Sequence, residues 1–255
     1  MRYRNEPIYT GAIGVGRAMF GALRLKPTVI GAQHLPDEGG AVIAMTHFGY
    51  MEFALVEWVT WLHNRRRIRF MAKKPVFDKK PIGALMRNMK HISVDMKAGA
   101  GAYAAAITAL QAGELIGVFP EAGVSASFTI RELKTGAARL AAEAGVPLIP
   151  MVTWGTQLLK TKDHPSDLKG RGKTIGLHVG EPLQVTGEDP VAETARLREA
   201  MTGLLDRAIA EYPVRPEGQW WAPSRHGGTA PTLAEARQLD EQEYAARAAR
   251  RNEPQ

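Results

Sequence analysis

The chain has 255 residues, 45% hydrophobic and 23% charged, the composition of a globular protein and not of a disordered one. It contains no cysteine, which excludes a disulfide framework, thiolate zinc sites and a cysteine nucleophile, and suits a reducing compartment. Lysine and arginine number 33 against 26 acids, and the net charge of +7 fits an anionic partner: nucleic acid, phosphorylated metabolites or an acidic lipid surface.

The chain opens on neither a signal peptide nor a spanning helix. Ile8 to Leu25 is mildly apolar, but Arg17 and Arg24 interrupt it and Gly11, Gly14, Gly16 and Gly21 loosen it. Ile8, Ile13, Val15, Met19, Phe20, Leu23 and Leu25 can line one side of a surface helix whose arginines lie near phosphates; the plainer alternative is a first helix packed on the core. Beyond it, apolar runs alternate in type. Ala41–Met45 reads as a buried strand, 52–62 as a helix and 68–71 as a strand. A helix with proline at its start follows over 81–89, then a strand over 91–94 and an alanine-rich helix over 101–112. Strand 115–119, helix 131–144, strand 147–153, strand 174–179 and a long helix over 190–210 complete the body. Strands separated by helices predict an α/β fold with a largely parallel or mixed central sheet flanked by helices.

Residues 1–30 then form an N-terminal helical, membrane-associating segment, 31–212 the α/β domain, and 213–255 a tail. That tail is rich in Pro and Gly up to Pro231, carries Trp220 and Trp221, and ends in a polar helix from Leu233. The tryptophans suit either anchorage on the body or a membrane interface.

In such sheets chemistry collects beyond the carboxyl ends of the strands. Three clusters fall there: 46–52, Lys73-Lys74 and 120–125. His47 follows a buried strand directly, with Glu52 five residues on. In a continuous helix that spacing turns the two about 140° apart. They meet only if His47 sits in the turn before the helix and Glu52 in its first turn, a bend that Gly49 permits. The carboxylate then takes the imidazole N–H and leaves the other ring nitrogen as a general base. A satisfied turn histidine beside an exposed acid is the plainer alternative. Metal ligation is not expected: H-E-x-x-H is absent, and the remaining histidines show no ligand spacing.

Phe119-Pro120-Glu121-Ala122-Gly123-Val124-Ser125 resembles the F-P-E-G-T-R-S block of the glycerolipid (lysophosphatidate-type) acyltransferases. Thr46-His47 to Glu52 is similar to that family's N-H-x4-D block, Met71 to Pro75 to its A-K-K-E-L stretch, Leu133 to Ala138 to its F-K-K-G-A block, and Pro147 to Met151 to its V-P-I-x-P-V strand. The matches run in family order from about Leu35 to Gly180. The resemblance implies transfer of a fatty acyl group from acyl-CoA or acyl carrier protein to a hydroxyl of a lysophospholipid or lysophosphatidate-type glycerolipid, in membrane phospholipid synthesis. His47 would deprotonate the acceptor, Glu52 would orient and charge-stabilise the ring, and backbone N–H groups would hold the oxyanion. Lys73, Lys74, Lys97, Phe119, Pro120, Glu121, Gly123, Ser125 and Lys134 become the substrate-binding candidates. No metal or cofactor is implied; the acyl donor is a substrate.

Three positions depart from the family pattern. Glu52 stands for its aspartate, Val124 for the arginine of F-P-E-G-T-R, and Met96 for the arginine of its I-D-R block. Each missing arginine forfeits a charge-assisted, often bidentate phosphate contact, with Lys97, Lys73, Lys74, Arg131 or Lys134 as replacements. This favours an acceptor bearing a headgroup, or a glycolipid, over plain lysophosphatidate.

From Arg65 to Lys97 the basic residues are Arg65, Arg66, Arg67, Arg69, Lys73, Lys74, Lys79, Lys80, Arg87, Lys90 and Lys97, opposed only by Asp78 and Asp95. They predict attraction to anionic headgroups and coenzyme A phosphates, with peripheral attachment to the cytoplasmic face of the cell membrane. No aromatic interleaving points to nucleic acid. Two other classes stay open on residues alone. Gly99 to Ala104 fits G-x-G-x-x-A, with Glu121 about 20 residues on, the outline of a dinucleotide site. A catalytically silent membrane-binding module is the other.

Overall fold

The computed structural model describes residues 6–121 and 123–252. Seven strands form one sheet in the order β1-β7-β6-β2-β5-β3-β4. They are β1 (Lys26–Ile30), β2 (Ala41–Met45), β3 (Ile68–Lys73), β4 (Ile92–Val94), β5 (Leu115–Val118), β6 (Leu148–Trp154) and β7 (Thr174–Val179). Neighbours pair in parallel except β6 and β7, which are antiparallel, so the sheet is mixed. The helices are α1 (Pro7–Ala22), α2 (Glu52–Asn64), α3 (Lys74–Asp78), α4 (Ile82–Asn88), α5 (Ala100–Gln111), α6 (Gly136–Ala144), α7 (Pro190–Ala210) and α8 (Leu233–Asn252).

Strand β2 shows why its sequence is apolar throughout. Successive side chains point to opposite faces, and both faces are covered. Val42 and Ala44 join a core with α5, α6 and α7. Ala41, Ile43 and Met45 join the core under α2, which also takes Phe20 of α1. Trp221 belongs to the first core, its ring 6.0 Å from that of Trp154 and 5.5 Å from that of Tyr212. The chain therefore returns to the body after α7, while Trp220 lies nearer the surface, stacked on His164 at 4.0 Å.

Four elements differ from the sequence reading. The N-terminal 30 residues are not helical throughout, since β1 adds an exposed edge strand beside β7, where a proline costs no ladder bond. Along α1, Tyr9, Ile13 and Phe20 are buried, whereas Ile8, Val15 and Met19 face outward, so the apolar residues serve two sides. The five-residue α3 is too short to show a periodicity. Helix α6 begins at Gly136, not at Arg131: the N–H of Arg131 goes to the Glu121 carboxylate and that of Lys134 to the Pro120 carbonyl, so this stretch is committed to a neighbouring turn. At its far end Gly145 takes the left-handed conformation, φ +65°, that closes the helix. No helix among the described residues is long and apolar enough to cross a membrane.

Candidate active site

The carboxyl ends of β2, β5 and β6, adjacent in the sheet, bring three segments together. His47 lies in the turn after β2, and Glu52 is the first residue of α2. Their side chains meet, Nδ1 to Oε2 at 3.0 Å. Glu52 is fully buried, against 23% exposure for the imidazole. Its other oxygen, Oε1, accepts the Phe48 N–H at 2.8 Å, the Thr153 hydroxyl at 2.9 Å and the Thr156 hydroxyl at 3.1 Å. Four donors thus fix one carboxylate, three of them sharing Oε1. A carboxylate can only accept, so Nδ1 carries the ring proton and Nε2 the lone pair. Nε2 has no hydrogen-bond partner among the described residues. Phe119, following β5, stacks on the ring with centroids 4.2 Å apart and restricts its rotation.

The turn is tight for a second reason. A methyl group added at Gly49 would lie 2.9 Å from the Thr156 carbonyl oxygen and 3.0 Å from that of Lys160. The peptide must therefore pass the segment after β6 with no side chain between. Tyr50 N–H donates to the Lys160 carbonyl at 3.0 Å and the Thr161 hydroxyl donates to that of Phe48 at 2.5 Å.

The Pro120–Ser125 turn braces His47 from the other side, through main chain. Glu121 accepts the His47 N–H at 3.3 Å, and Ser125 N–H donates to the His47 carbonyl at 2.8 Å. Glu121 is wholly buried, which pushes its pKa up to about 7 against the pull of Arg131. Arg131 threads this turn: its backbone N–H donates to Glu121 Oε2 at 3.2 Å, and a guanidinium N–H donates to the Gly123 carbonyl at 2.6 Å.

The remaining candidates divide by depth. The Ser125 hydroxyl is buried and donates to the Thr129 carbonyl at 3.1 Å, with Ser127 beside it, so it supports the turn from behind. Its backbone N–H is committed to His47 and is not free for an oxyanion. Pro120 is buried too, and Lys134 touches the site through its backbone N–H while its side chain is exposed. Lys73, Lys74 and Lys97 are exposed beyond β3 and β4. At about 4.8 Å per strand, that puts them roughly 10–15 Å along the sheet edge from β2. Lys74 pairs with Asp95 at 3.4 Å.

Part of the basic run proves structural. Arg66 is buried and donates to the carbonyls of Pro36, Gly39 and Gly113. Arg69 is buried between Glu6 and Glu114, and Arg67 donates to Thr10. The dinucleotide outline also dissolves, because Glu121, the acid it needs for a ribose, is committed to His47 and Arg131 inside the turn.

Thr153 and Thr156 were not singled out in the sequence. Thr153 carried a signal, as the polar residue at the end of an otherwise apolar buried strand. Thr156 carried none.

A buried acid fixing a histidine whose second nitrogen is free, at the carboxyl edge of an α/β sheet, is an arrangement suited to activating a hydroxyl. The stretch 26–154 matches the Acyltransferase family model. A 1-acyl-sn-glycerol-3-phosphate acyltransferase of Bacillus subtilis (strain 168) is 32% identical over 191 residues, spanning 74% of this chain and 89% of that protein. The chain belongs to the glycerolipid acyltransferase family and is an acyltransferase. The crystal structure of the 1-acyl-sn-glycerophosphate (LPA) acyltransferase PlsC from Thermotoga maritima shares the fold, with a TM-score of 0.68 at 21% identity over 84% of this chain and 86% of that one.

Proposed function

We propose that the enzyme moves a fatty acyl group from acyl-CoA or acyl carrier protein to the free hydroxyl of a lysophosphatidate, with His47 as general base and Glu52 as its orienting acid. The observation that carries this is the Nδ1–Oε2 contact of 3.0 Å with Nε2 left open. The acceptor O–H loses its proton to Nε2 as the oxygen attacks the thioester carbonyl. The new C–O bond forms, the C–S bond breaks, and the imidazolium returns the proton to the departing thiolate. The Glu52 carboxylate stabilises the imidazolium formed between these two steps. No covalent enzyme intermediate is required.

The activity printed in the name of the Bacillus subtilis relative supports a phosphate-bearing acceptor, despite Val124 and Met96. Lys73, Lys74 and Lys97 form a cationic lip for coenzyme A or headgroup phosphates. Attachment is peripheral, on the cytoplasmic face of the cell membrane, through the outward apolar residues of α1 and the exposed lysines. Acyl transfer is measured over lysophosphatidate, headgroup-bearing lysolipids and acyl donors of several lengths, with flotation on acidic vesicles alongside. Turnover of lysophosphatidate that vanishes in His47→Ala supports the proposal. A preference for headgroup-bearing lysolipids refutes the acceptor, and full activity of His47→Ala refutes the chemistry.

A further inference from the structure

Two cations lie beside the segments that brace the His47 turn, and one carboxylate of α8 joins them. Arg131 holds the Gly123 carbonyl with one guanidinium nitrogen and Asp240 Oδ2 with the other, at 2.7 Å. Lys162, two residues past the Lys160 carbonyl that receives Tyr50, donates to Asp240 Oδ1 at 2.6 Å and pairs with Glu243 at 2.6 Å. Both cations are largely enclosed, their side chains 15% and 12% exposed. Asp240 thus does what a phosphate does between an arginine and a lysine, with a single charge where a phosphate monoester carries nearly two.

Helix α8, which brings this carboxylate, is held mainly by charge. Among its described side chains Ala236 alone is buried, and Leu239 is exposed. Its start is self-contained: the Thr232 N–H donates to the Glu235 carboxylate at 2.7 Å, and Glu235 N–H donates to the Thr232 hydroxyl at 3.3 Å, so the helix does not need the body for its cap. A helix with little buried apolar surface belongs to the low-stability end of a fold.

We propose that Arg131 and Lys162 form an anion subsite for the phosphate monoester of the acceptor, and that Asp240 and Glu243 of α8 close it as a displaceable acidic strap. The ligand's identity rests on the acyl-acceptor reading above; the subsite and the strap rest on the ion pairs alone. Cations reach this side of the site from Arg131 and Lys162, outside the two positions where Val124 and Met96 replace the family arginines.

The test reads the strap directly in the full-length protein. Hydrogen exchange of residues 233–243 is followed with lysophosphatidate, inorganic phosphate, or monoacylglycerol, which lacks the phosphate. Lysophosphatidate should speed exchange in α8, monoacylglycerol should not, and Lys162→Gln should abolish the response. In turnover, an ion pair of this partial exposure keeps the strap shut by roughly five to one, and apparent affinity scales with the open fraction. Asp240→Asn should therefore lower KM for lysophosphatidate about fivefold. Glu243→Gln should shift KM the same way by less, which covers the case of a poorly folded Asp240→Asn. A higher KM with a lower Tm in both variants would make α8 a structural brace and overturn the strap. Equal opening by inorganic phosphate at the same concentration would overturn its assignment to the acceptor. An inactive wild type whose α8 still opens with lysophosphatidate sinks the acyl-transfer reading and leaves the subsite standing.

Discussion

Glu52→Asp separates this site from the family pattern it resembles, because the family's acid is one methylene shorter. With the backbone of α2 in place, the carboxylate retreats by about one C–C bond, roughly 1.5 Å. The 3.0 Å contact to Nδ1 becomes about 4.5 Å, beyond any hydrogen bond. Phe48 N–H, Thr153 and Thr156 lose the same partner in a fully buried place. A hydrogen bond to a charged group contributes about 1.5–3 kcal/mol, and every 1.36 kcal/mol is tenfold in rate. The expected loss in kcat is therefore about 10- to 150-fold. Buried donors left without partners add roughly 1–3 kcal/mol each to the folding cost, so Tm should fall as well. Single-turnover acyl transfer with saturating substrates, together with a thermal melt, reads both. Wild-type kcat in Glu52→Asp, at unchanged Tm, would show that the turn slides freely, and that the four-donor cage does not set the ring.

His47→Ala should lose on the order of a hundredfold or more in rate, with a modest fall in Tm because the buried Glu52 carboxylate loses one of its four donors. Gly49→Ala should lower both Tm and kcat, because its methyl would meet two carbonyl oxygens within 3.0 Å; an unperturbed melt would contradict the close approach. Glu121→Gln has a pH signature. A carboxyl whose folded pKa is about 7, above its ordinary 4.5, binds more protons folded than unfolded between those values, so it makes stability fall as pH rises from about 4.5 through about 7. Denaturant melts across that range should show the fall flattened in Glu121→Gln, and an unchanged slope would mean that Glu121 ionises as it does in water.

The strands at the centre were legible because burial on both faces forces an unbroken apolar run. The stretch Ala41–Met45 is such a run, and so is most of β6. Edge strand β1 was not legible, since a fully exposed strand has no burial to pattern its residues. Turn geometry left the His47–Glu52 contact as one of two readings, and the resemblance carried by Phe119–Ser125 favoured it. The support of that contact was not legible: Thr156, Arg131 and Ser125 reach the turn across long sequence separations, through backbone groups as often as side chains. A main-chain donor leaves no residue type behind. The basic run misled for the opposite reason, because a buried arginine such as Arg66, satisfied by three carbonyls, looks in sequence like a solvated one.

Two buried carboxylates sit on either side of the His47 peptide, and their environments divide the work. Glu52 receives four donors, one of them the ring itself. Glu121 receives two backbone N–H groups at 3.2 and 3.3 Å, and its pKa is raised chiefly by burial, with the Glu52 charge adding to the rise. Burial therefore favours the neutral form of Glu121, which holds the main chain and needs no charge to accept a hydrogen bond. Glu52, caged by its donors, is the acid placed against the imidazole Nδ1. Arg131 moderates this arrangement from within the Glu121–Gly123 turn, and Asp240 in turn draws on Arg131. Movement of α8 would thus alter the field at Glu121 without disturbing the Glu52 cage, so the proposed strap is linked through Arg131 to the turn that holds the His47 main chain.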